Sequence, residues 1–272
     1  MKKKVAAFIL VGVVFAFLIS ALIGFFVSRE LTVEEFEIKN SALEDVTILH
    51  LSDIHFPFNV VSTEVILETA MSTNPDFIAI SGDIIDEDTV KSDLDNLEIF
   101  LHMLASVAPC YAVLGNHEVG TAILDDFLQT CENAGIRVLY NEIVYQMVNG
   151  KKIAVAGLND GRLYNQENLP LSMVSASALV LIAHRPELFS SYSSVDNPAR
   201  PALVLSGHAH GGAVRLFGQG LYAPNQGLFP TFTNGKYTEN GVTMLVSRGL
   251  GHGGAGKVRV FNKHHIIVVK GT

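Results

Sequence analysis

Apolar residues open the chain as one unbroken block, Val5 to Val27, 23 positions without a charge. Downstream they recur as short runs between polar turns. At 1.5 Å per residue the opening block makes a helix of roughly 34 Å, enough for a hydrocarbon core of about 30 Å. Leu31 to Lys39 then alternates charged and apolar side chains, the period of a half-buried strand. Val46–Leu51, Phe77–Ile80, Pro109–Leu114, Ala178–Ala183 and Leu203–Ser206 are largely apolar and β-rich, which predicts buried strands. Ser62–Ser72, Val90–Ser106 and Ala122–Ala134 repeat apolar residues at helical spacing. Strand and helix in alternation predict parallel strands joined by crossover helices, with a site at the carboxyl edge of the sheet. The second half is richer in strands. Arg137–Tyr140, Ile143–Val148 and Ile153–Leu158 read so, with Asn149-Gly150 as a hairpin turn, and Thr243–Ser247, Val258–Phe261 and His265–Val269 follow. Arg215–Gly241, rich in Gly, Pro, Asn and aromatics, reads as a long loop. With no internal repeat or linker, the expected division is a membrane anchor over residues 1–29 and one domain over residues 30–272.

Charge sharpens this division. The formal charge is −8, and residues 1–27 carry Lys2, Lys3 and Lys4 but no acid, so the remainder is more acidic than the whole. No basic block follows, which argues against nucleic acid as a partner. The three lysines precede the apolar block and Arg29 is the only base just after it. The positive-inside rule then places the N-terminus in the cytoplasm and the domain outside it. A cleaved signal peptide would have an apolar core of about 7–15 residues and a small-residue cleavage site. This block is longer and ends Phe25-Phe26-Val27-Ser28, so a retained anchor is expected. The two cysteines, Cys110 and Cys131, read as buried thiols, with a disulfide open to them in an exported domain.

Polar, metal-competent residues gather at the carboxyl ends of the apolar runs. They are Asp53 and His55, Asp83, Asn116 and His117, His184, and His208 and His210. Each has a bland explanation alone, since Asp after Ser or Gly caps helices and Asn after Gly makes turns. Five of the ten histidines at such places make a shared purpose the better account. In Asp53-x-His55 and His208-x-His210, alternation along a strand would send both side chains to one side. Imidazole and carboxylate without thiolate suit Mn, Fe, Zn, Ni or Co. Two divalent ions among two Asp carboxylates and a hydroxide leave a net positive site, which would attract a phosphate to an acidic protein.

Taken in order, Asp53-x-His55, Gly82-Asp83, Gly115-Asn116-His117-Glu118, His184 and Gly207-His208-x-His210 resemble the motifs of the calcineurin-like metallophosphoesterase superfamily. Ala223–Pro230 and Ser247-Arg248-Gly249-Leu250-Gly251 are similar to its bacterial membrane-associated YkuE/YaeI-like branch. The resemblance implies an α/β fold, a four-layer α-β-β-α sandwich of two mixed sheets, here with an N-terminal transmembrane helix. It implies two divalent metal ions, manganese first among them. Asp53, His55 and His210 would hold one, Asn116, His184 and His208 the other, and Asp83 would bridge them. A metal-bound hydroxide would attack phosphorus, while His117 stabilises the transition state and helps protonate the leaving oxygen. The branch usually has Thr and Gln where Ala209 and Ala213 stand, neither a ligand. Asp160 is expected behind the ligands or in a surface turn, Asp86 behind the ligands or as a helix cap, and Glu118 either orients His117 or caps a helix. His252 is a candidate for the pocket rim, and His50, His102, His264 and His265 read as structural or surface residues.

The expected activity is hydrolysis of a phosphomonoester or phosphodiester, on a membrane or cell-envelope substrate that the anchor brings near; Leu221, Tyr222, Leu228, Phe229 and Phe232 would either hold an acyl chain or lie on the membrane, or pack as core under the loop. A pyrophosphatase acting on a UDP-sugar lipid precursor is the alternative enzyme, and a non-catalytic metal-binding scaffold the alternative class. A scaffold would be expected to have lost ligands, and every ligand type is present here.

Overall fold

The computed structural model describes residues 2–160, 176–195, 200–252 and 258–272. Helix α1 (Lys2–Val27) is apolar all round, and its window Phe8–Val27 is long and apolar enough to cross a membrane. Almost none of that window is buried against protein, so this helix is not part of a soluble core. Only its last turn docks. The Gly24 carbonyl accepts from the Phe261 amide at 3.0 Å, and the Ser28 hydroxyl accepts from the Asn262 amide at 2.9 Å.

The domain follows as β1 (Leu31–Ile38), β2 (Thr47–Leu51), α2 (Thr63–Thr73), β3 (Phe77–Ile80), α3 (Leu94–Val107), β4 (Cys110–Ala112), α4 (Asn116–Gly120), α5 (Leu124–Ala134) and β5 (Ile136–Val138). The second half contains β6 (Ile143–Val148), β7 (Lys151–Leu158), β8 (Ala178–Ala183), α6 (Phe189–Tyr192) and β9 (Leu203–Ser206). Four two-residue strands come next: β10 (Arg215–Leu216), β11 (Gln219–Gly220), β12 (Tyr222–Ala223) and β13 (Gly227–Leu228). The chain then adds β14 (Gly235–Glu239), β15 (Val242–Val246) and β16 (His264–Gly271).

Two six-stranded mixed sheets result. The first has the order β1-β16-β2-β3-β4-β5, with β16 antiparallel to β2 and the other pairs parallel. The second has the order β14-β15-β9-β8-β7-β6, parallel from β15 to β7 with an antiparallel strand at each edge. Strands β2, β3, β4, β8 and β9 are apolar on both faces because both faces are covered. Ile66, Leu97, Leu101 and Phe127 pack helices α2, α3 and α5 on the outer face of the first sheet. Ile48, Phe77, Val113, Val155, Ile182 and Leu205 fill the space between the sheets. Leu181, Val204, Val246, Phe189 and Tyr192 form a third core outside the second sheet. Three cores separate four layers, as the resemblance implied.

Local chemistry sets the ends. Ser62 caps α2 by accepting from the Val65 amide, and Asn74 ends it in the left-handed region. Asn149 and Gly150, both at positive φ, make the expected hairpin turn. Two expectations fail. Val258–Phe261 is not a strand: Val260 makes one isolated bridge to Val214, and Phe261 turns left-handed to donate to the Gly24 carbonyl of α1. Arg215–Gly241 is not a plain loop, since β10 to β13 form two small hairpins and β14 edges the second sheet. Two-residue strands carry no periodicity that a sequence pattern can register. Cys110 and Cys131 are both free, and burial pushes the Cys110 thiol up to about 12.

Candidate metal centre

The carboxyl ends of β2, β3, β8 and β9, with the exit of β4, meet at one edge of the sandwich. The groups there leave the strands differently from the expected alternation. Asp53, His55, Asp83, His208 and His210 all have left-handed backbone, with φ between 46° and 62°. Each strand stops in a tight turn that aims its side chain inward, a conformation L-residues adopt only when the surroundings impose it. Gly207 lets the turns interlock, since a Cβ there would overlap Ser52 Oγ and Asp53 Oδ2.

Asp53, His55, Asp83, His184, His208 and His210 are all buried. Their ligand atoms form two groups, each within 4.8 Å: Asp53, His55, Asp83 and His210, and Asp83, His184 and His208. Asp83 belongs to both. Asn116 Oδ1 stands 3.2 Å from His184 Nε2, which brings it to the second group. All seven residues named as ligands from the sequence are thus brought together, as is His117, whose Nε2 is 4.0 Å from Asp83 Oδ2.

Hydrogen bonds on the far side of each ring decide which nitrogen is bare. His184 Nδ1–H donates to the Ser81 carbonyl at 2.7 Å, which leaves Nε2 as a lone pair. That lone pair lies 3.1 Å from Asp83 Oδ2 and 3.1 Å from His208 Nδ1. Asp83 Oδ2 is buried and has no hydrogen-bond donor. His55 Nδ1–H donates to Asp86 Oδ2 at 3.0 Å, so its bare Nε2 faces His210 Nε2 at 3.4 Å. Hydrogen bonding from His55 holds the Asp86 carboxyl down at about 2. Lone pairs at such separations repel unless a cation lies between them. Ligands about 2.1 Å from one ion stand roughly 3.0–3.4 Å apart. The donor set therefore fits two ions sharing Asp83.

The surrounding residues were only partly legible. Of the two roles expected for Glu118, it does not orient His117 but does cap α4, accepting from the Gly115 amide at the helix start. Its carboxylate accepts from the amides of Gly115 at 2.7 Å, Asp83 at 2.9 Å and Ile85 at 2.9 Å, and so clamps the β3 and β4 exits together. Burial and the nearby Asp83 charge push it up to about 7. Asp83 Oδ1 accepts from the His117 amide at 3.0 Å, which reserves Oδ2 for the centre. Asp160 is buried and holds Arg185 by paired bonds of 2.6 and 3.0 Å. His50 is a structural residue with a specific task. Its Nε2 bonds Ser81 Oγ, which donates to Ser52 Oγ, which donates to Asp53 Oδ2 at 2.5 Å. Asn225, part of the Ala223–Pro230 resemblance but given no role there, lies 3.0 Å from His208 Nε2 in the turn between β12 and β13. Its backbone is left-handed, with φ 58°, in the turn that Pro224-Asn225-Gln226-Gly227 marks in the sequence. His252 is exposed and lines a cavity by the anchor instead of joining either ligand group.

Comparison with known proteins agrees with this geometry. The calcineurin-like phosphoesterase family profile matches residues 46–212. An uncharacterised metallophosphoesterase of Aquifex aeolicus is 30% identical over 271 residues, covering 92% of this chain and 97% of its own. The Escherichia coli phosphodiesterase YaeI is 31% identical over 62% of each chain. A Caenorhabditis elegans metallophosphoesterase, F40B5.2, is 30% identical over 84% of this chain, which spans 48% of that longer protein. Among solved structures, the Thermus thermophilus sulfate thiohydrolase SoxB shares the fold, with a TM-score of 0.50 at 14% identity over 77% of this chain and 52% of its own. The chain belongs to the calcineurin-like phosphoesterase family of metal-dependent phosphohydrolases.

Proposed function

We propose that this chain is a membrane-anchored hydrolase of phosphomonoesters or phosphodiesters that acts on a lipid-borne or cell-envelope substrate. The convergence of bare, buried donor atoms on Asp83 Oδ2 carries the reading. Asp53, His55 and His210 hold one divalent ion, Asn116, His184 and His208 the second, and Asp83 both. Manganese suits the set, as do Fe, Zn, Ni and Co. Bound ions supply Lewis acidity for the phosphoryl oxygens and lower the pKa of a coordinated water.

The protein's own part falls largely to His117. The Glu87 amide donates to His117 Nδ1 at 3.1 Å, so Nε2 carries the proton. That N–H points to the Asp83 side of the centre from a half-buried ring, placed to bond a phosphoryl oxygen and to pass its proton to the leaving group. Asp86, Asp160 and Glu118 hold the ligand-bearing loops in place.

The anchor supports a membrane-borne substrate. Asn262, whose amide bonds Ser28 at the end of α1, donates through Nδ2 to the His210 carbonyl at 2.7 Å. One residue therefore links the span to a ligand loop. The Tyr222–Leu228 hairpin touches the centre through Asn225 and turns Leu228 and its neighbour Phe229 outward, 73% and 71% exposed. These two suit acyl chains or the bilayer surface, whereas Phe232 packs on Phe189 and Tyr237. The lysines before the span favour a cytoplasmic N-terminus and an extracytoplasmic domain.

The test is metal analysis of the purified chain with hydrolysis of bis-p-nitrophenyl phosphate and p-nitrophenyl phosphate, followed by phospholipid vesicles. Two metals per chain and turnover abolished in Asp83→Asn are expected. Two metals without turnover on any of these substrates would favour a scaffold instead.

A further inference from the structure

We infer that the cavity where the anchor meets the domain is a binding site for a phosphate-bearing anion, separate from the metal centre. The cavity has a volume of about 170 Å³. Phe25, Ser28 and Arg29 at the end of α1 line one side, with His252, Arg259 and His264 among the residues on the other.

Arg259 is the reason to expect an anion. Its side chain is buried, at 5% exposure, and Nη2 donates to the Arg248 carbonyl at 2.6 Å. Nε and Nη1 have no partner. The 3.4 Å approach of Nη2 to His210 Nδ1 is long for a charged donor. Among the described residues no carboxylate pairs with this guanidinium. A buried cation is costly without a counter-charge, and a guanidinium is well suited to phosphate oxygens. His264 shares the lining as a neutral ring, which leaves the charge of the cavity to the two arginines. Arg29 contributes a further positive charge from the exposed side.

Position and size narrow the ligand. The cavity lies at the end of the apolar span Phe8–Val27, the depth at which a bilayer presents its headgroups. A cavity of roughly 150 Å³ holds a benzene molecule. This one therefore admits a headgroup phosphate and leaves acyl chains outside, along α1. Arg259 sits at His210 Nδ1, whereas the ligand group forms around His210 Nε2. An anion bound here is not the one being cleaved. It fixes the domain against the headgroup layer, and it does not depend on the hydrolytic reading above.

The experiment uses the full chain in nanodiscs of mixed phosphatidylglycerol and phosphatidylcholine, with retained lipid counted by native mass spectrometry. Phosphatidylglycerol should be retained in preference, fall about fivefold in Arg29→Gln, and be lost in Arg259→Gln. Should Arg259→Gln fail to fold, Arg29→Gln carries the test. Hydrolysis of bis-p-nitrophenyl phosphate, read in parallel, stays unchanged in Arg29→Gln. Equilibrium dialysis against inorganic phosphate distinguishes the sources. Phosphate bound beyond what the metal centre takes, absent from Arg29→Gln and without lipid preference, assigns a free anion. No preference between the lipids with no additional phosphate, or retention unchanged in the variants that fold, overturns the site.

Discussion

Replacing Glu118 by Gln tests whether the clamp between the β3 and β4 exits organises the centre. In the native fold Oε2 accepts from the Gly115 and Asp83 amides, and Oε1 accepts from the Ile85 amide. A glutamine keeps the shape but offers a single acceptor oxygen. Its best placement keeps that oxygen on Gly115 and Asp83 and turns its NH2 against the Ile85 N–H. The residue is fully buried, so no water relieves the mismatch. One orphaned buried donor costs about 1–3 kcal/mol. For a domain of this size about 2 kcal/mol lowers Tm by roughly 4–8 °C. Since Asp83 hangs from the clamped loop, metal affinity should fall as well. Circular dichroism melts with and without chelator, with competitive metal titration, read both effects. A Tm within about 1 °C of the native chain and unchanged metal affinity would refute the clamp as the organising contact.

Three further outcomes follow from the same geometry. His117→Ala should retain both metals while turnover falls about 10²–10⁴-fold; loss of metal by elemental analysis would show that the ring is a ligand instead. Asp86→Asn removes the carboxylate that orients His55, and competitive titration should find one of the two metals held about 10–100-fold more weakly, whereas loss of both alike would place Asp86 elsewhere. Burial lowers His50 to about 3 from its ordinary 6.5. The folded state thus resists a proton that the unfolded chain accepts, and the stability is complete above 6.5 and lost as pH falls toward 3. Between pH 7 and 5 the loss is about 2 kcal/mol. His50→Gln should lose that much less over the same interval in urea unfolding, and an identical pH loss in both proteins would exclude His50 as its source.

The apolar runs made the layered fold legible, because strands covered on both faces carry no other pattern. They could not place β10 to β13, where two residues pair through loop geometry, nor foresee that Val258–Phe261 gives its hydrogen bonds to Ala213 and the anchor. The residues that cluster at the candidate centre were legible because five strand ends repeat one kind of side chain. The way they converge was not. Asp53-x-His55 and His208-x-His210 meet through left-handed turns that depend on glycines and on neighbours far away in sequence. Residues behind the ligands stayed hidden for a related reason. Glu118, Asn225 and His50 act on partners that only the folded chain brings near.

Strand β1 follows helix α1 directly, yet among the described residues its one ladder partner is β16, where Leu31 pairs with His264 and Ile38 with Gly271. The ribosome must therefore deliver nearly the entire domain before this first strand can find its place. Before that pairing, and after it as the edge of the first sheet, Leu31–Ile38 is the kind of open edge that recruits stray strands. Glu34, Glu35 and Glu37 put negative charge along it, which discourages such pairing during the wait. Arrival of β16 joins β1 to the rest of the first sheet, so the strand next to helix α1 is the last of that sheet to be fixed.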